Sequence, residues 1–153
     1  MPTIRAFIAI HLPPDVQTAL GRVTATLGEG LPRGAVRWVR PELMHLTLRF
    51  LGDTDVARMP AVGRALDAAV AGRAPFSLTL DGLGCFPNPR RPRVVWAGLA
   101  GDTAPLLALK AALDAQLAAL GYPPEDKPFR AHLTLGRVKD ERAAQNLALA
   151  VPL

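Results

Sequence analysis

The tetrapeptide His-Leu-Thr-Leu occurs twice in this chain, at His45-Leu46-Thr47-Leu48 and at His132-Leu133-Thr134-Leu135, and takes up two of the three histidines. From average residue usage, an accidental second copy has a chance on the order of 1 in 1,000, so the repeat asks for a physical reason. In-line displacement at phosphorus supplies one. The attacking and leaving oxygens lie on opposite sides, one losing a proton as the other gains one. Two imidazoles can divide those tasks, because histidine's ordinary pKa of about 6.5 makes both protonation states accessible near neutrality. Two threonine hydroxyls can donate to the non-bridging oxygens, where charge accumulates. This chemistry requires no metal. A zinc site would need three or four ligands, and neither histidine has a Cys or His partner at ligand spacing, although Asp53 is nearby in sequence. His11, without a partner motif, reads as a surface or capping residue.

Such residues need strands to aim them. Alternation marks strands at Thr3 to Ile10, Val36 to Val39, His45 to Phe50, Phe76 to Leu80, Val94 to Gly98 and His132 to Val138. Helical spacing marks Val16, Leu20, Val23 and Leu27, started at Pro13-Pro14-Asp15 and stopped by Gly28; then Val56, Met59, Val62, Leu66 and Val70. A third stripe, Leu106, Leu109, Leu113, Leu117 and Leu120, has Asp102 or Thr103 as its cap and Gly121 as its stop. A last helix begins over Asp140 to Gln145. Each half of the chain thus carries strand, helix, HLTL strand and helix, as a duplicated lobe would. Side chains at i and i+2 share one face of a strand. His45, Thr47 and Arg49 should therefore face a groove while Leu46, Leu48 and Phe50 face the helices, with His132 and Thr134 set against Leu133 and Leu135 in the same way.

The 153 residues suit one compact domain, and half are hydrophobic. No apolar run approaches the ~18 residues of a membrane span, and the first residues lack a signal-peptide pattern. The lone Cys85 cannot form an internal disulfide and reads as a buried small hydrophobe. A cytoplasmic setting is the expectation. Net charge is +5, carried mostly by arginine, since the only lysines are Lys110, Lys127 and Lys139. An arginine-rich surface attracts polyanions, although the same composition also follows from GC-rich coding.

The stretches His45-Leu46-Thr47-Leu48-Arg49-Phe50-Leu51-Gly52 and His132-Leu133-Thr134-Leu135-Gly136-Arg137 resemble the paired HxTx signatures of the 2H phosphoesterase superfamily. The branch most similar is that of the RNA 2′,3′-cyclic phosphodiesterases, also called 2′-5′ RNA ligases. Arg5 to Ile10, Arg91 to Gly98 and Phe129-Arg130 extend the likeness over nearly the whole chain. The resemblance implies an α+β fold of two pseudo-twofold-related lobes. Each would be an antiparallel sheet with helices on its outer face, and together they would form a V-shaped active-site cleft within one bilobal domain spanning residues 1–153.

It further implies hydrolysis of RNA 2′,3′-cyclic phosphate ends to 2′-phosphomonoesters, with 2′-5′ ligation as the chemical reverse. His45 becomes the proton donor to the leaving 3′ oxygen, His132 the base that activates water, and Thr47, Thr134 and Arg137 the phosphate ligands. By strand parity Arg137 should face away from His132, so a bulge at Gly136 is needed to re-aim it. On the first strand Ile4, Ala6, Ile8 and Ile10 form the expected buried face. Arg5 and Phe7 are left toward the groove, where Phe7 can stack on a base and Arg5 meet RNA. Arg90 and Arg91, in the loop Pro87 to Arg93, are candidates to track RNA phosphates. The implied partner is RNA with a cyclic phosphate end, with no cofactor, no metal, no membrane, no obligate protein partner and a monomeric state. Two other readings stay open at this point: a cyclic phosphodiesterase of small nucleotides and a non-catalytic RNA-binding module. Family members typically continue through two more strands after the last helix. Here Leu147 to Leu153 follows almost at once, which leaves either a shortened chain or an absent segment; Ala148 to Leu153 looks like the closing strand, so the expectation is an absent segment ahead of it.

Overall fold

The elements run β1 (Thr3–His11), α1 (Pro14–Glu29), β2 (Val36–Trp38), β3 (His45–Asp55), α2 (Met59–Val70), β4 (Leu78–Phe86), β5 (Val94–Gly101), α3 (Thr103–Ala119), β6 (His132–Val138) and α4 (Glu141–Ala144). One-turn 3-10 helices at Pro41–Leu43 and Val56–Arg58 lead into β3 and α2. This computed structural model describes residues 2–145 together with 147 and 149. The expected closing strand, Ala148 to Leu153, thus lies almost wholly outside the described residues. The strands form a two-stranded sheet, β1-β3, and a four-stranded one in the order β2-β6-β5-β4. In the latter β6 runs antiparallel to both of its neighbours. The α+β class with antiparallel sheets is as the sequence led us to expect.

The chain divides into two compact units, but not at its middle. One gathers Met1–Ala9, Leu48–Leu78 and Gly101–Arg130; the other gathers Ile10–Thr47, Thr79–Ala100 and Ala131–Leu153. This corrects the expectation that each half of the sequence makes one lobe. The reason is in the strand pairing: β2 from the first half finds its partner in β6 from the second, a long-range choice that local periodicity does not encode.

In the first unit α2 and α3 pack against each other. The leucine stripe of α3 is buried at Leu106, Leu109, Leu113 and Leu117, and Lys110 is buried beside it. α2 buries Val62, Ala65 and Ala69, whereas Leu66 is half-buried and Val70 is exposed. Beside Val62, the small alanines meet the interior in place of Leu66 and Val70, the later members of the expected stripe. Asp102 stands at the N-cap of α3, yet its carboxylate accepts from the Ser77 amide, and its own amide donates to the Ser77 carbonyl. That clip fixes the chain just ahead of β4, which begins at Leu78, later than the expected strand from Phe76.

In the second unit α1 buries Leu20, Val23, Thr24 and Leu27, with Val16 half-buried. It passes through Gly28 and ends at Gly30, two residues later than expected. Gly28 serves a close approach instead of a stop, since a Cβ there would stand 3.3 Å from Trp38 Nε1. Cys85 is buried and free, as expected.

Candidate functional site

β6 carries the second motif at the centre of the four-stranded sheet. Its register with β5 pairs Gly98 with His132, Ala97 with Leu133 and Trp96 with Thr134, then shifts so that Val95 meets Gly136 and Val94 meets Arg137. Leu135 is the extra residue. Because directly paired residues share a face, and β5 itself alternates regularly, His132, Thr134 and Arg137 stand on the face of Val94, Trp96 and Gly98. Leu133 and Gly136 stand on the other face with Val95 and Ala97. Leu133, Val95 and Ala97 are wholly buried. The bulge that Arg137 required is therefore present, one residue earlier than the sequence suggested. Gly136 still matters, because a Cβ there would come within 2.7 Å of both Trp38 and Val36 on β2. The side chains of Trp38 and Val36 occupy the space that a side chain at 136 would need.

The His132 ring is held by Phe86, whose centroid lies 5.1 Å away with the planes at 84°. Phe86 also lies 5.1 Å from the Trp96 ring. An aromatic bracket of this kind restrains the orientation of an imidazole by edge-to-face packing.

The first motif follows the 3-10 turn Pro41–Leu43 directly. Pro41 presets that turn, and the turn leaves the Leu43 carbonyl pointing back at His45. His45 Nδ1 donates to it at 2.7 Å. A carbonyl only accepts, so the proton on that side is settled, and exchange with a substrate is left to Nε2. Met44 and Leu46, buried on either side, pin the strand, while His45 and Thr47 are half-buried. Both His-x-Thr pairs belong to the second unit.

Past Thr47 the expected alternation fails. Leu48 and Arg49 are both buried and Phe50 is 63% exposed. Arg49 is not a groove residue: its guanidinium bonds Asp114 at 2.9 Å, faces Glu125 at 3.6 Å and donates to the Pro123 carbonyl. Lys110, also buried, closes the cluster with 3.0 Å to Asp114 and 2.6 Å to Glu125. A buried arginine is tolerable only when paired in this way. The sequence carried no local sign of it, because Asp114 and Glu125 arrive from a distant segment.

The other expected residues are placed as follows. Arg5 and Phe7 are exposed in the first unit, with the Phe7 and Phe50 rings 6.2 Å apart. Ala6 and Ile8 form the buried face of β1, Ile10 is half-buried, and Ile4 is 45% exposed, against expectation. Arg90 and Arg91 are exposed in a loop of the second unit, where the Asn88 side chain accepts from both of their amides. Arg91 faces Glu141 at 3.5 Å, an exposed pair that offsets part of its charge. Sequence reasoning missed two residues of the His132 face: Phe86, and Arg37, which pairs with Arg137 across the β2–β6 register. Among the described residues, no three His, Cys, Asp or Glu side chains gather as a metal ion would need.

Two His-x-Thr strands in an α+β fold define the 2H class of phosphoesterase. The chain belongs to the LigT-like phosphoesterase family, whose model matches residues 10–96 and 99–152. It is 34% identical over 145 residues to the RNA 2′,3′-cyclic phosphodiesterase of Methanothermobacter thermautotrophicus, a match covering 95% of this chain and 77% of that protein. Among solved structures, TT0787 of Thermus thermophilus matches with a TM-score of 0.73 at 33% identity, covering 97% of this chain and 79% of that one. LigT of E. coli complexed with 3′-AMP matches with a TM-score of 0.71 at 30% identity, covering 99% and 78%.

Proposed function

We propose that this chain hydrolyses RNA 2′,3′-cyclic phosphate ends to 2′-phosphomonoesters by acid–base catalysis with two histidines. The observation that carries the reading is the β6 register, which sets His132, Thr134 and Arg137 on one face, in the unit that also holds His45 and Thr47. The imidazole of His132 takes a proton from the attacking water. Nε2 of His45, its other nitrogen occupied by Leu43, gives a proton to the departing O3′, and phosphate stays on O2′. Thr47, Thr134 and Arg137 donate to the non-bridging oxygens as charge builds there. The relatives named for the same activity support the substrate class. On this reading the 153 residues act as one bilobal domain, a cytoplasmic monomer needing neither metal nor other cofactor. Its partner is the RNA end, without a membrane or an obligate protein partner, and 2′-5′ sealing of RNA ends is the reverse of the same reaction.

Incubating the protein with an RNA that ends in a 2′,3′-cyclic phosphate, in excess EDTA, tests this. A 2′-phosphate identified by phosphorus NMR is the expected product. A 3′-phosphate would require His45 and His132 to exchange roles, since in-line geometry ties the bond broken to the side on which the acid stands. Activity lost to EDTA and restored by zinc would overturn the metal-free mechanism.

A further inference from the structure

Arg37 and Arg137 are direct partners in the β2–β6 register, so their side chains leave the sheet on the same face, next to each other. Both are exposed, and neither makes an ion pair among the described residues. Like charges directly opposed on an antiparallel pair are destabilising. Yet among the described residues no carboxylate forms an ion pair with either member of this pair. It stands on the face of His132 and Thr134, one same-face step of about 7 Å beyond Thr134. Two planar forks side by side present a set of N–H donors matched to phosphate oxygens. Arg37 stands one strand farther from Thr134 than Arg137 does, too far out to be a first choice for the reacting phosphate.

We propose that Arg37, standing beside the Arg137 that serves the reacting phosphate, forms an anion subsite for the phosphodiester that adjoins the cyclic phosphate end, so that this chain prefers an oligonucleotide to a mononucleotide. The inference rests on the function proposed above for the same site. It accounts for the uncompensated pair: the counter-charge is supplied by the RNA backbone.

The test compares a 2′,3′-cyclic mononucleotide with a trinucleotide bearing the same end. In Arg37→Ala the ratio of kcat/KM, trinucleotide over mononucleotide, should fall about 10-fold, the worth of one charge-assisted hydrogen bond. The trinucleotide's log–log salt slope should shrink by about 1. Arg37→Lys should keep the salt slope and recover only part of the ratio, because an ammonium has the charge without the fork. The melting temperature of free Arg37→Ala should not fall, since the change removes a repulsion. A ratio unchanged within about twofold, or equal losses on both substrates, would overturn the subsite. Should the unaltered protein cleave neither substrate, the proposed function fails by itself. The subsite is then judged from the anisotropy of a fluorescent trinucleotide, with about 10-fold weaker binding by Arg37→Ala supporting it and equal binding refuting it.

Discussion

The two units differ in the positive charge they bury. In the first, Arg49 and Lys110 are buried and share the carboxylates of Asp114 and Glu125, and Arg58 donates to the Leu120 carbonyl while lying over the Tyr122 ring. In the second, Arg37 and Arg137 stand exposed and opposed on the sheet. The charged side chains that the described residues bury, Arg49 and Lys110, both belong to the first unit. A cation neutralised from within holds the fold. One left without a counter-ion is available to a ligand. Residue type does not separate the two uses; the neighbourhood does.

Substitutions can break this comparison. The largest effect is expected at the histidines. His45→Ala or His132→Ala should lower the rate roughly 100- to 10,000-fold, with the double change costing little more because acid and base act in one transition state. Melting should be unaltered, and the parent enzyme should show a bell-shaped rate against pH whose limbs belong to the pair jointly. Independent, multiplying losses in the double variant would refute the coupled mechanism.

Arg49→Ala should do the reverse, lowering stability by about 2–4 kcal/mol through the charges left unmatched around Lys110. The lower part of the range is favoured because Asp114 and Glu125 remain partly exposed. Urea denaturation reads this directly. If Arg49→Ala kept its stability and lost only RNA affinity, the division between fold-holding and ligand-holding cations would be wrong.

A smaller effect is expected in the loop. Arg90→Ala with Arg91→Ala should reduce the salt slope of oligonucleotide binding by about 1 and not 2, because Glu141 already offsets part of the Arg91 charge. An unchanged slope would show that this loop is merely solvated.

The smallest effect concerns the interior of the second unit, where burial pushes the Cys85 thiol up from its ordinary value. Ionisation is then easier in the unfolded chain. The thiol's contribution to stability is therefore complete below its unfolded pKa of about 8.5 and declines as pH rises beyond it, until the folded thiol ionises too. Between pH 7 and 10 the melting temperature of the parent should fall more than that of Cys85→Ala, by on the order of a degree or two. Parallel curves would mean that the thiol is not held neutral.

Much of the site was legible because it depends on short-range order. His-x-Thr on an alternating strand places a titratable and a hydroxyl group on one face by pleat geometry alone. β6 has the bounds expected for it, and the leucines of α3 declare their buried side by spacing. Three features were not legible. A bulge before Arg137 was expected, but its place at Leu135 is set by where β5 and β6 shift register. The exchange of burial between Arg49 and Phe50 depends on Asp114, 65 residues away. The interleaving of the units depends on which strand becomes whose neighbour. By itself, then, the sequence determined the chemistry on offer and the local periods that present it, since both follow from side-chain type and spacing along a few residues. The tertiary structure decided which arginines are matched and which stand open, because the energy of a charge depends on what distant chain is folded against it.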